Sequence, residues 1–156
     1  MPGKSGKQTI LVPVDFSTFS EAALLKACEL TNCMNLQVVV LHVVHDPSEL
    51  PGYYGKMTKK KNLVRMEDVA REMLDEFMEV IINAHPKLKR LAEAKSMLVV
   101  GLPVGRILEV AESVNAAMIV MGSQGRTGLK YMMLGSKAEQ VMRLSPVSVT
   151  IIKQKK

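Results

Sequence analysis

Residues 117–144 read AMIVMGSQGRTGLKYMMLGSKAEQVMRL, and this stretch indicates the fold because it joins an apolar run to an amphipathic helix through a glycine-containing loop. The apolar run 117–121 is predicted to be a strand, and 136–144 is predicted to be a helix. Between them the glycines follow the pattern G-x2-G-x9-G-S, at Gly122, Gly125 and Gly135-Ser136. Strand, glycine loop and helix in this order are typical of one unit of a parallel α/β sheet.

The same alternation of apolar runs and helical patterns extends over the rest of the chain. Further strands are predicted at 10–14, 36–44, 96–100 and 147–152, and further helices at 18–32, 63–84 and 104–114. The first helix is expected to begin with a capping box formed by Thr18 and Glu21. Five strands and four helices predict a single domain over 1–156, ordered at about 8–153, with a doubly wound parallel sheet and helices on both faces.

Composition and charge limit the class of protein. The chain has 156 residues, of which 47% are hydrophobic, enough to bury one core but too few for two ordinary domains. A membrane span requires a run of about 18 apolar residues, and the sequence contains none. A cytoplasmic protein without a membrane partner is therefore expected. The net charge of +6 is partly carried by lysines at the two termini, and there is no tryptophan for base stacking. Nucleic acid binding is therefore not expected.

The cysteine, histidine and methionine residues show no pattern typical of a metal site. Cys28 and Cys33 form no CxxC motif and are expected to stay reduced. His42 and His45 lie three residues apart on a predicted strand, so their side chains point to opposite faces and cannot hold one ion. His42 is expected to pack and His45 to lie in a loop, and no metal site is predicted. Five methionines are expected to fill the core: Met66, Met73, Met97, Met118 and Met121.

The glycine loop has the physical properties of an anion-binding site. Glycine allows the backbone to approach a ligand closely and to adopt a positive φ. Gly135-Ser136 precedes a helix, whose first N–H groups and dipole attract phosphate. The patterns of a P-loop, a dinucleotide-binding fingerprint, a protein kinase and a nucleophile elbow are all absent from the sequence. An anion site of another type is therefore predicted.

Four segments in order make the chain resemble the universal stress protein family, in its ATP-binding branch, from Ile10 to Ile152. They are Val12-Pro13-Val14-Asp15-Phe16-Ser17, Leu41-His42-Val43, Gly101-Leu102-Pro103 and the glycine loop. The resemblance implies a Rossmann-like sheet of strand order 3-2-1-4-5, similar to the adenine nucleotide alpha hydrolase-like folds. It places the ligand where the strand order reverses, between the first and fourth strands. The implied ligand is ATP or AMP, with Mg²⁺ or Mn²⁺ at the phosphates.

The resemblance also implies a role for each candidate binding residue. Asp15 is expected to accept bonds from the adenine or the ribose, since its oxygens suit N–H and O–H donors. The residues expected at the adenine and ribose are Pro13, Val14, Val43, Met121 and Gly122, and those expected at the phosphates are Gly125, Arg126, Gly135, Ser136 and Lys137, with Lys130 as a further candidate. The chain departs from the family pattern at Lys137, where a small or β-branched residue often stands, and at Ala117, where an aspartate often stands.

Three functions remain open at this point. The first is a regulatory module of the stress response that binds ATP or AMP and forms a homodimer through the last strand, which starts at Val147 and ends at Ile152 and offers an unpaired edge. The second is a slow Mg²⁺- or Mn²⁺-dependent ATPase or phosphotransferase using Ser136. No catalytic residue is predicted, because no general base or nucleophile stands out near the expected phosphates. The third is an interaction protein that binds no nucleotide.

Overall fold

The computed structural model describes residues 8–45, 60–126 and 134–154, with the backbone alone for 60–65. Its elements are β1 (Thr9–Pro13), α1 (Thr18–Leu30), β2 (Gln37–His45), α2 (Lys60–Ala84), α3 (Lys89–Ala92), β3 (Lys95–Gly101), α4 (Pro103–Ser113), β4 (Ala116–Gly122), α5 (Ser136–Leu144) and β5 (Ser148–Ile152). The strands form one sheet of order β3-β2-β1-β4-β5, and every neighbouring pair is parallel. The predicted fold and strand order are confirmed.

Helices cover both faces of this sheet, which explains why its inner strands are largely apolar. Ile10, Val12 and Val40 pack against α1, α2 and α3, whereas Leu11 and Leu41 point the other way, against α4 and α5. All five of these side chains are completely buried. Successive residues of a strand point to opposite faces, so a strand between two helical layers buries apolar residues on both of its faces.

The start of α1 differs from the predicted capping box at Thr18. Ser17 is the N-cap instead, with φ −81° and ψ 160°, and its Oγ accepts a bond from the backbone N–H of Ser20 at 3.2 Å. Thr18 is the first helical residue, and its hydroxyl donates to Gln154 at 3.0 Å. The capping box prediction was therefore wrong by one residue, because Asp15 fixes Ser17 in the extended conformation that a cap requires.

Two expectations about the strands and helices beyond β1 were also wrong. His45 is the last residue of β2 and pairs with Gly101 of β3, so it does not lie in a loop. The short helix α3 was not predicted, because its four residues are too few to show a periodic pattern. It brings Leu91 into the core beneath the sheet.

Helix α2 buries one face only, and two of the predicted core methionines lie outside that face. Met66 and Met73 are 39% and 37% exposed, so the prediction was wrong for them. Met121 is buried, and Met97 and Met118 are partly buried, as members of the two core layers. Despite the 25-residue length of α2, none of the described helices is apolar enough over a sufficient length to cross a membrane.

Candidate functional site

A cavity of about 480 Å³ opens at the carboxyl edge of the sheet, between the ends of β1 and β4. The chain continues from β1 to one side of the sheet and from β4 to the other, and such a reversal leaves a crevice between the two strands. The volume lies in the range of small-molecule sites. All eleven predicted binding residues line it: Pro13, Val14, Asp15, Val43, Met121, Gly122, Gly125, Arg126, Gly135, Ser136 and Lys137. That they bind a ligand stays a prediction.

Further residues line the cavity that the sequence did not single out as binding residues. They are Ser20, Leu41, His42, Pro103, Ile107, Gln124 and Ala138. Pro103 is the first residue of α4, and one residue separates it from the end of β3. Its position in the segment Gly101-Leu102-Pro103 could have identified it as a cavity residue. Leu41 and Ile107 carried no signal, because their apolar side chains fit a core equally well. The candidate Lys130 lies outside the described residues.

The carboxylate of Asp15 connects the end of β1 to the loop that follows β4. Its Oδ1 accepts bonds from the backbone N–H of Ser17 at 3.1 Å and from the Ser17 hydroxyl at 2.5 Å. Its Oδ2 accepts a bond from the backbone N–H of Arg126 at 2.9 Å. Asp15 thus supports the start of α1 and also links it to the loop after β4. A carboxylate has about four acceptor positions, so a ligand hydroxyl or amine can still bind it.

The glycines of the loop differ in what the protein itself requires of them. A Cβ atom on Gly122 would lie 2.8 Å from backbone atoms of Phe19, and one on Gly125 would lie 2.6 Å from Oδ2 of Asp15. At Gly135 the nearest atom to such a Cβ would be 3.5 Å away, an ordinary contact. None of these glycines has a φ in the left-handed region. The close approach of Phe19 and Asp15 therefore explains why glycine is needed at 122 and 125, and a positive φ does not.

The start of α5 forms the positively polarised end of the cavity. Gly135 is its N-cap and has no side chain to cap the helix, while its own N–H donates to Ser123 O at 2.7 Å. The N–H groups of Ser136, Lys137 and Ala138 have no partner within the helix, as in any first helical turn. All three residues line the cavity, so the dipole of α5 favours an anion there.

His42 supports the turn that carries Asp15. Its Nδ1 lies 2.8 Å from the carbonyl oxygen of Val14, and because a carbonyl only accepts, Nδ1 carries the hydrogen. The ring stacks on Phe16 with centroids 4.3 Å apart, and Phe16 itself holds a φ of 65°. Burial lowers the pKa of His42 below its ordinary value, although the bond to Val14 and the charge of Asp15 act in the opposite direction. The prediction that His42 packs is confirmed.

Comparison with known proteins agrees with this architecture. The model of the universal stress protein family matches residues 7–153. The universal stress protein MJ0577 of Methanocaldococcus jannaschii is 30% identical over 94% of each chain. The solved structure of MJ0577 covers 96% of this chain and 97% of its own, with a TM-score of 0.68 and 28% identity. A universal stress protein from Archaeoglobus fulgidus in complex with dAMP covers 94% of this chain and 98% of its own, with a TM-score of 0.62 and 29% identity. This chain belongs to the universal stress protein family.

Proposed function

We propose that this protein binds an adenine nucleotide, ATP or AMP, in the cavity between β1 and β4, and that the nucleotide acts as a regulatory ligand. The observation that carries the proposal is that one cavity joins an apolar end, a carboxylate and a helix N-terminus. An adenine nucleotide has three matching parts: a flat base, a ribose with hydroxyl groups, and phosphates. The related Archaeoglobus fulgidus protein, which is in complex with dAMP, supports the same class of ligand.

The apolar end of the cavity suits the adenine ring. Leu41, Val43, Ile107 and Met121 lie there on the face covered by α4 and α5. Burying one face of a purine against these side chains removes apolar area from water, which favours binding. Asp15 stands at the end of β1, next to Val14 and Pro13, where the ribose hydroxyls or the adenine amine would donate to it.

The opposite end suits the phosphates. Ser136 and Lys137 offer backbone N–H groups of the first turn of α5, and the Ser136 hydroxyl adds a donor. Arg126 and Lys137 bring positive charge to the rim of the cavity. Gly122 and Gly125 keep the loop after β4 close to Phe19 and Asp15, so that the two ends belong to one continuous cavity.

Thermal unfolding in the presence of nucleotides tests the proposal. Because a ligand that binds only the folded state stabilises it, ATP or AMP at about 100 times its Kd should stabilise the protein by about 2.7 kcal/mol. For a domain of this size the expected rise in Tm is roughly 5 to 10 °C. Each nucleotide should be titrated with and without Mg²⁺, and GTP and NAD serve as controls for the base and for the dinucleotide.

The outcome of this titration separates the proposal from its alternatives. A shift with adenine nucleotides that GTP does not reproduce supports the proposed ligand. No shift with any adenine nucleotide, in protein shown by its absorbance to be free of bound nucleotide, would contradict the proposal and favour an interaction protein. Release of inorganic phosphate during the titration would instead point to the slow ATPase.

A divalent cation would reach this site with the nucleotide. In the described parts of the chain, no three His, Cys, Asp or Glu side chains come together to hold a metal ion. Asp15 is the one carboxylate among the described lining residues, and both of its oxygens already accept bonds. The hydroxyl of Ser136 is the group that would contact Mg²⁺ or Mn²⁺ at the phosphates. Mg²⁺ keeps several waters in such sites, so the phosphates and water would supply most of its ligands and the protein few.

We also propose that the protein acts as a cytoplasmic homodimer in the response to stress, joined through β5. Strand β5 pairs with β4 on one side, and its other edge is the end of the sheet. Leu144 and Met142 of the preceding helix are 63% and 46% exposed, so apolar surface remains on this helix for a second copy to cover. Light scattering after size exclusion should give twice the chain mass of 17.2 kDa at micromolar concentration. A particle of the single-chain mass would contradict the dimer.

A further inference from the structure

Two cationic residues from different segments of the chain line the cavity. Arg126 belongs to the loop that follows β4, and Lys137 is the second residue of α5. Both are exposed, and neither forms an ion pair with another described residue. Each described ion pair instead joins two residues that are one helical turn apart in the sequence. Within the described part of the chain, both charges therefore stay available to an anionic ligand.

The charge balance of the cavity lining favours an anion with more than one charge. Asp15 is the single carboxylate among the described lining residues, against the two cations Arg126 and Lys137. It bonds to Ser17 and to the backbone N–H of Arg126, and to neither cationic side chain. The N-terminus of α5 adds its own partial positive charge. Among the described lining residues, positive charge thus exceeds negative charge.

Backbone and side-chain donors would serve different phosphate groups of a nucleotide. The N–H groups at the start of α5 are fixed in position and suit the phosphate nearest the ribose. The second and third phosphates of a nucleoside triphosphate extend further, and they add negative charge as they do so. The long side chains of Lys137 and Arg126 are flexible enough to follow them, since a lysine ammonium stands on a four-carbon stem.

We propose that Lys137, together with Arg126, makes the affinity of this cavity depend on the number of phosphates in the nucleotide. The cavity then binds the triphosphate more tightly than the monophosphate. The inference rests on the proposed adenine nucleotide site and adds what that site distinguishes. Lys137 contributes little to the affinity for AMP, whose single phosphate already binds the backbone N–H groups of α5. It contributes more to the affinity for ADP and ATP. Because both cations are exposed, the preference is electrostatic and decreases as salt rises.

Isothermal titration calorimetry with ATP, ADP and AMP at low and at high salt tests this selectivity. In Lys137→Gln the affinity for ATP is expected to fall by about fivefold to tenfold, since a charge-assisted bond is lost. The affinity for AMP should change by less than about twofold. Lys137→Arg should keep the ATP preference because it keeps the charge. High salt should reduce the ratio of ATP to AMP affinity in the wild type more than in Lys137→Gln.

Arg143→Gln is the matched control. Arg143 lies in the last turn of the same helix, outside the cavity, and its removal changes the net charge equally. An equal loss of ATP and AMP affinity in Lys137→Gln, or the same change of ratio in Arg143→Gln, would overturn the selectivity and leave the nucleotide site standing. Failure of the wild type to bind any adenine nucleotide would overturn the proposed function itself, and the selectivity with it.

Discussion

Replacing Gly122 by alanine is expected to lower the free energy of unfolding by about 1 to 3 kcal/mol. The added Cβ would lie 2.8 Å from the carbonyl carbon and oxygen of Phe19, and from its Cβ. Backbone atoms cannot move aside as a flexible side chain does, so the first turn of α1 must shift away from β4. Chemical denaturation measures this change, and thermal unfolding should show a decrease in Tm of roughly 3 to 10 °C.

Gly105→Ala is the matched control for this loss of stability. Gly105 lies inside α4, and a Cβ placed on it would meet nothing within 4 Å. Alanine is the better helix former, so this variant should gain about 0.5 to 1 kcal/mol. A Gly122→Ala protein as stable as the wild type would show that α1 and β4 are not in the close contact described, and the argument for Gly122 would fail.

Replacing Gly125 by alanine is expected to weaken adenine nucleotide binding by about tenfold or more, while the fold persists. The added Cβ would lie 2.6 Å from Oδ2 of Asp15, which is the tip of a side chain and is able to move. Its movement breaks the bond between Asp15 and the Arg126 N–H, and a hydrogen bond to a charged group contributes about 1.5 to 3 kcal/mol. The carboxylate and the loop then no longer hold the positions that the ligand needs. Calorimetric titration with ATP measures the loss.

The same Gly105→Ala variant controls for this second substitution, because it makes an identical chemical change in α4 without filling any occupied space. Its affinity for ATP should equal that of the wild type. The free energy of unfolding of Gly125→Ala should fall by about 1.5 to 3 kcal/mol at most, since only this one hydrogen bond to a charged group is lost. Normal ATP binding by Gly125→Ala would refute the role given to the contact between Asp15 and Arg126.

Local patterns in the sequence were sufficient for every described element except α3, and for the glycine loop that precedes α5. The run that became β4 is apolar at every position, as a strand between two helical layers often is, and a helix follows its glycine loop. The strand order required the resemblance to a family, because parallel strands that are neighbours in space are far apart in the chain. Once that order is given, residues at the ends of β1 and β4 must meet, and the predicted binding residues do line one cavity.

Contacts between distant residues, in contrast, were decided by the tertiary structure alone. The bond from Arg126 to Asp15 spans 111 positions, and the need for glycine at 122 comes from Phe19, in another element. Ser17 replaced Thr18 as the cap of α1 because Asp15 holds it in place. Met66 had the spacing of a core residue but lies exposed, since the sheet covers only part of the apolar face of α2. The sequence by itself determined which residues are apolar, flexible or charged and in what period they recur. It therefore determined the α/β alternation and the place of the glycine loop before α5. Which of those residues touch was decided only by packing, because each contact depends on two segments whose separation in space no local pattern encodes.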